Sequence, residues 1–517
     1  MTGRTRDREL YMKLRSIAPE YIMILVASLV KISLNLVALS NSGFMSDEFL
    51  HIEAGDHLSA GYMDFPPMIG MFAWVQNLFH SDSIFIHHLF TNIACVVSLI
   101  FAALTTKRLG GGLLAVGITL TCIVFSPGFA AAHILFVPVG FELMFWIISI
   151  YFLASWCQEP GDRKIFYMAI FTALGFLTKY SIGFLFGGLF FSLLLFRRDL
   201  LRKRALWMAV LLFLVIISPN LWWQYDHHFP LFRHMYALYD TQLKQVSILD
   251  EFKLLAMFMN PVTMVIWVPA LLVIPFLKHF RKFRLLTFTL LFSFLLLLIA
   301  RGKFYYYMPI ILGLIPLGSA IIEHWFRELR VVIYAYIVVL CIAGVLLLPH
   351  GMPLLKLENY ISWYSLEKNE DQKTILRFDN YYSWEVWDPI MKSVKMTYEN
   401  LGPEEQSNCL IWGRNYAQAG AVNLLGRRYK LPRAFSFHSS YFEWVPEFQS
   451  GISVIAIADP NWTKQSYLRY FNEVEEIDVI ENPYGTFANF DYHTVFLCKD
   501  SKYNSTQFKA LFKNEIY

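Results

Sequence analysis

Runs of about 18–20 apolar residues, the length that crosses a bilayer, recur through the first 350 positions of this chain and then stop. No soluble core can bury so many such runs, so the first two thirds of the chain is read as a polytopic membrane domain. Composition agrees: of 517 residues, 56% are hydrophobic and 16% charged, where soluble domains carry roughly 25% charged residues. A net charge of +4 is too small to point to a nucleic-acid partner. The basic leader TGRTRDRELYMKLR runs into an apolar stretch without a small-residue cleavage site, so the stretch reads as a retained first span.

Basic clusters mark the cytoplasmic loops. They fall in the leader, at Lys107-Arg108, at Arg163-Lys164, and in segments 197–204, 278–284 and 323–330. Spans are then expected at 20–40, 84–106, 112–127, 131–157, 164–179, 181–196, 205–223, 259–277, 285–300, 304–322 and 331–349. That makes about eleven, with the N-terminus cytoplasmic and the C-terminus outside. Three segments face outward: the loop 41–83, the loop 224–258 and everything after 350. The chain divides into a transmembrane domain, 1–350, and an exported soluble α/β domain, 351–517. In the latter SNCLIWG, GISVIAIADP and YHTVFLCKD read as strands, and NYAQAGAVNLLGRRY and TKQSYLRYFNEVEE as helices. Cys409 and Cys498 either pair there or stay free thiols.

The loop 41–83 is too long for a simple connector. It holds Asp47 and Glu48 side by side, then a helix-forming stretch expected to lie along the membrane surface, then Pro66-Pro67 and a second apolar helix, MIGMFAWVQNLF. A partly buried carboxylate suits proton abstraction; two acids at a helix start equally suit the helix dipole. Glu142 is an acid in the outer part of an apolar span, and Lys31 a cation inside the first. Lys179, Arg301 and Lys303 stand at the outer ends of spans, placed either to hold a lipid phosphate or to anchor the interface. His51 and His57 share the loop with acids, which leaves a divalent metal ion open as a cofactor, its ligands unknown. No Gly-rich phosphate loop supports a nucleotide substrate.

Together SDEFLHIEAGDHLSAGYMDFPPM, FLTKYSIGFLF, SPNLWWQYDHHFPLFRH and ARGKFYYYMPIILGLIPL, in that order, resemble the polytopic glycosyltransferases of the protein-mannosyltransferase and lipid A aminoarabinose-transferase type, the GT-C fold. The resemblance implies transfer of a sugar from a polyprenyl-phosphate donor to an acceptor at the outer face of the membrane, with inversion. The acceptor is a glycolipid, a cell-envelope glycan or a protein, and the membrane a bacterial inner membrane. It makes Asp47 the general base and Glu48 its supporting neighbour. Lys303, Arg301 and Lys179 are expected at the donor phosphate, and Tyr62, Asp64, Pro66, Pro67, Glu142, Tyr305 and Tyr306 around the substrates. Two departures stand out: Glu142 where relatives often carry aspartate, and Gln224 where they often carry asparagine. A glycan ligase, a flippase or transporter, and a non-catalytic sensor are the alternatives; absence of internal repeats argues against the transporter.

Overall fold

The computed structural model describes residues 18–485 and 491–516. The basic leader lies outside them. Among the described residues, seven helices are long and apolar enough to cross a membrane: Pro19–Ser40 (α1), Leu89–Arg108, Pro138–Gln158, Arg204–Asp226, Phe280–Ile299, Phe304–Trp325 and Arg330–His350. Two bent pairs raise the number to nine: Leu113–Val124 with Pro127–Ile134, bent by 64°, and Ile248–Phe258 with Pro261–Leu272, bent by 98°. The other two expected spans fall on the helices Asp162–Phe176 and Gly183–Phe196, whose 15 and 14 residues are shorter than a span needs, so the structure offers seven to nine spans where about eleven are expected.

Both bends have the same cause and a shared remedy. Proline opens the second helix of each pair, and its missing N–H leaves carbonyls of the preceding turn without partners. The two breaks then serve each other: Ser126 Oγ donates to Met259 O at 2.9 Å, and Asn260 Nδ2 donates to Phe125 O at 3.1 Å. Helices Pro138–Gln158 and Phe304–Trp325 form the buried centre of the bundle, whereas Arg204–Asp226 and Arg330–His350 turn most of their apolar side chains outward, as lipid contact requires. Lys31, in α1, is 0% exposed, and Cys95 and His133, not an acid, are its neighbours.

Contacts gather the cationic helix ends at one end of the bundle. Lys107 pairs with Glu20 at 3.1 Å, Glu323 receives Leu114 N at 3.1 Å, and Arg197 lies over Trp156 at 5.3 Å. The opposite end carries the loop 41–83 and the chain beyond 350.

That loop is not a surface helix. Its first helix, Ser46–Glu53 (α2), is shorter than expected and almost wholly buried. Met68–Asn77 (α3) is the second helix, as expected. One hydrophobic core joins the loop to the C-terminal region: Phe49, Ile52, Phe65 and Ile69 pack with Trp387, Ile411 and Val422. The C-terminal region is built on a five-stranded sheet in the order β2-β1-β3-β5-β4. Its strands are β1 (Cys409–Gly413), β2 (Ala434–Phe435), β3 (Ser453–Ala458), β4 (Phe471–Glu481) and β5 (Tyr492–Ser501). β1 runs parallel to β2 and β3, and β5 antiparallel to β3 and β4. The stretch FNEVEE, expected as helix, is instead the edge strand β4. Its glutamates favour helix in isolation, but the buried Phe471 and Val474 match the register of β5, and the charges keep an exposed edge soluble. Cys409 and Cys498 are both free thiols, on β1 and β5 with β3 between them, about 9–10 Å of sheet apart and beyond disulfide reach.

Helix Tyr416–Leu425 (α4) lies across α2. Gly420 makes this possible, since a Cβ there would stand 2.6 Å from that of Phe49. The contact is clamped by ions at its rim: Arg433 bonds Glu53 and, at 3.0 Å, Asp56; Arg427 reaches Asp56 at 3.5 Å; Arg428 pairs with Asp82.

Candidate active site

Between the C-terminal sheet region and the end of the bundle that carries the loop 41–83 lies a cavity of about 660 Å³. Its lower wall comes from the bundle: Lys179, Phe184, Leu297 and Tyr306. Asp47, His51, Asp64 and Pro66 enter from the loop 41–83, and Tyr416, His438 and Ser439 from the C-terminal region. The amphipathic helix Pro230–Thr241 closes one side; it turns Leu231, His234 and Leu238 inward, while Tyr236 and Tyr239 are exposed.

Asp47 and Glu48 are neighbours in sequence with different roles. Asp47 lines the cavity and accepts a 2.6 Å hydrogen bond from the Tyr416 hydroxyl. Glu48, 0% exposed, turns the other way. Its carboxylate accepts from Met45 N and Phe136 N and bonds His88 Nε2, each at 2.6 Å. Glu48 therefore fixes the start of α2 against the bundle and does not reach the cavity. Asp379 pins the same helix start from the C-terminal region, accepting from Ser46 N at 2.9 Å and from the Ser46 hydroxyl.

Their surroundings shift the two cavity acids in opposite directions. Burial pushes the Asp47 carboxyl above its ordinary value; the Tyr416 hydrogen bond opposes this, Glu48 and Asp64 add to it, and Lys303 opposes it. Burial also works to raise Asp64, but hydrogen bonding and charge from His234, with Ser439 and His438, outweigh it and hold Asp64 below its ordinary value. Two carboxylates driven apart in this way are suited to separate tasks, one exchanging a proton and one staying ionised. Burial lowers His51 to about 3, so it faces the cavity uncharged.

Lys179 is held at the floor by Glu142 at 3.3 Å, and its ammonium lies 4.9 and 4.6 Å from the ring centres of Tyr305 and Tyr306. Glu142 also accepts a 2.5 Å bond from Ser181. It is not a cavity residue itself, a correction to the expectation; it orients Lys179, and the extra methylene of glutamate spans that gap. Lys303 is half-buried and bonds Gln242, a wall residue. Burial lowers its pKa, against the pull of Glu251 and Asp47.

Three other expectations are corrected. Arg301 is exposed and donates to Lys244 O at 2.8 Å, beyond the cavity wall. Tyr62 is buried, stacked on Phe65 and bonded to Ala54 O at 2.8 Å, so it shapes the loop. Pro67 caps α3, leaving only Pro66 of the pair on the wall. The neighbouring Gly61 admits the Trp223 ring, where a Cβ would collide at 2.5 Å. Gln224 keeps an amide's work: it donates to Tyr180 at 3.0 Å and accepts from Leu231 N at 3.2 Å, tying the Lys179-Tyr180 turn to the side-wall helix. Among the described residues, no group of three or more His, Cys, Asp or Glu side chains is gathered to hold a metal ion.

Tyr416, His438 and Ser439 were not found as site residues from sequence. None of the three carries a charge or hydropathy signal of its own, and the docking of the C-terminal region on the loop 41–83 carries them to the site.

Residues 64–223 match the family model described as dolichyl-phosphate-mannose-protein mannosyltransferase. A stretch of 195 residues is 28% identical to the lipid A galacturonosyltransferase RgtD of Rhizobium johnstonii, covering 37% of this chain and 40% of that protein. The match thus spans about two fifths of the relative. Among solved structures, apo ArnT from Cupriavidus metallidurans superposes with a TM-score of 0.61 at 13% identity, covering 93% of this chain and 98% of that one. The same protein bound to undecaprenyl phosphate gives 0.58 at 13% identity, covering 92% and 97%. The likeness to ArnT is one of fold, and it extends over nearly the whole chain. The GT-C fold implied by the sequence motifs is the fold observed.

Proposed function

Taking the chain as a multi-pass GT-C protein, we propose that it is a glycosyltransferase that moves a sugar from a polyprenyl-phosphate carrier to an acceptor hydroxyl at the outer face of a bacterial inner membrane. One observation carries the reading: a single cavity at the membrane-exit end joins a proton-accepting acid, Asp47, to a lysine held over tyrosines, Lys179. The matches to a mannosyltransferase model and to a galacturonosyltransferase support it, as does an ArnT structure that holds undecaprenyl phosphate. Grouping of the cationic helix ends at the far end supports a cytoplasmic N-terminus and an exported C-terminal domain. On this orientation we read the two bent pairs and the two shorter helices as the other four of the eleven expected membrane segments.

In the reaction, Asp47 takes the proton of the acceptor hydroxyl as its oxygen attacks the anomeric carbon. The new C–O bond forms on the face opposite the leaving group, the bond from that carbon to the phosphate oxygen breaks, and the lipid phosphate departs with the electron pair. Lys179 and Lys303 neutralise that charge in a water-poor site, where electrostatic stabilisation is strong. Asp64, ionised and braced by His234 and Ser439, faces the sugar hydroxyls.

The test uses purified protein, undecaprenyl-phosphate-linked galacturonate, aminoarabinose and mannose as donors, and a native membrane extract as acceptor. Release of undecaprenyl phosphate by wild type, and its loss in Asp47→Asn, is the expected result. Equal release by both proteins removes Asp47 as base. No release from any donor by folded protein returns the transporter and sensor readings.

A further inference from the structure

The base of this reaction is held by a residue from the far end of the chain. Tyr416 occupies the first turn of α4, whose start is fixed by a capping box: the Asn415 side chain accepts from Gln418 N at 3.1 Å and Gln418 Oε1 accepts from Asn415 N at 3.0 Å. The Tyr416 ring stacks on His438, with centroids 5.0 Å apart and planes at 16°. Ring and helix together leave the phenol one direction, and in it lies Asp47 Oδ1 at 2.6 Å. We propose that Tyr416 is a positioning residue for the catalytic base. Its hydroxyl fixes the Asp47 carboxylate by one oxygen and leaves Oδ2 to the acceptor hydroxyl, so the exported domain completes a catalytic centre that the membrane domain lacks on its own. This rests on the reading of Asp47 as base.

The electrostatic surroundings make the bond consequential. Charged and titratable groups reach Asp47 from each element packed on it: Glu48 on α2, Asp64 in the outer loop, Lys303 and Tyr305 at the edge of the bundle, and Tyr416 and Asp379 from the exported domain. His51 and His438 face the same cavity. Burial and the neighbouring acids favour a protonated Asp47; Tyr416 and Lys303 favour the carboxylate that a base must be. Burial and the adjacent Asp47 hold the Tyr416 phenol well above its ordinary value, so it remains a donor across the working pH range.

The experiment is the pH profile of undecaprenyl phosphate release, measured on the full chain for wild type, Tyr416→Phe, Asp47→Asn and a protein carrying 3-fluorotyrosine at 416. Loss of the donor in Tyr416→Phe is expected to move the acid limb of kcat/KM up by about one pH unit, with a plateau roughly tenfold lower. The fluorinated phenol has nearly the same shape and is a stronger donor, so it is expected to move the limb down. A packing role produces neither shift. Unmoved limbs in both proteins, with Asp47→Asn inactive, overturn the role of Tyr416 and leave Asp47 as base. Asp47→Asn with wild-type release overturns both readings. Should Tyr416→Phe fail to fold, judged by gel filtration, the direction of the fluorotyrosine shift decides.

Discussion

The floor and the roof of the cavity are built by opposite means. On the floor, each polar group is paired at short range inside an apolar bundle: Lys179 with Glu142 and two tyrosines, Glu142 with Ser181. On the roof, Tyr416, His438 and Ser439 arrive on the C-terminal sheet region, held on the loop by a shared core and an arginine clamp. On the proposed reading, the floor supplies fixed charge for a lipid phosphate and the roof aims and tunes the acid. Neither half alone is a site, because Asp47 lies on α2, sandwiched between them.

Variants on the two sides should separate these contributions. The largest effect is expected between them, at Asp47→Asn, where removal of the base lowers turnover by about 10²–10⁴-fold. Next comes the floor. Lys179→Met removes the cation from the proposed phosphate site and is expected to cost about 10²–10³ in kcat. Glu142→Gln, which loosens Lys179 without removing it, should cost roughly tenfold. A loss in Glu142→Gln equal to that in Lys179→Met would mean that Glu142 acts directly. On the roof, Arg433→Ala strips Glu53 of its cation while Asn423 still bonds it at 3.0 Å. Stability is expected to fall by about 1–3 kcal/mol, read as a lower unfolding midpoint in detergent. Since Asp47 must be ionised to act and its folded-state pKa is raised, kcat/KM should fall on acidification at a pH above the ordinary aspartate value of about 3.9. The smallest effect is expected at Arg301→Ala. With Arg301 pointing to Lys244 and away from the cavity, release should stay within about twofold of wild type.

The same contrast explains what could be read from the sequence. Floor residues announce themselves because charge is costly in an apolar run: Glu142, Lys179 and Lys303 stand out on that ground alone, and Asp47 by its place at the exit of the first span. Arg301 stands out equally, yet it spends its guanidinium on Lys244 O, a backbone partner that no local pattern records. Glu48 was paired with Asp47 by adjacency, whereas successive helix residues point about 100° apart and only one can face the cavity. The loop was expected on the membrane surface because its true partner lies more than 300 residues away, and no local periodicity records such a contact. The roof was invisible for that reason too: Tyr416 is one of 28 tyrosines, and its significance comes entirely from docking.

The 369 residues between Tyr416 and Asp47 also bear on how the protein is made. Ribosomes add about 5–20 residues per second, so roughly 20–70 s separate the synthesis of α2 from that of the tyrosine that holds it. During that interval Phe49, Ile52 and Phe65 of the loop 41–83 lack their C-terminal partners, a long-range pairing awaiting its second member. On the proposed reading, the catalytic centre is then among the last features the nascent chain completes, and a chain that stalled before α4 would carry Asp47 without the tyrosine that holds it.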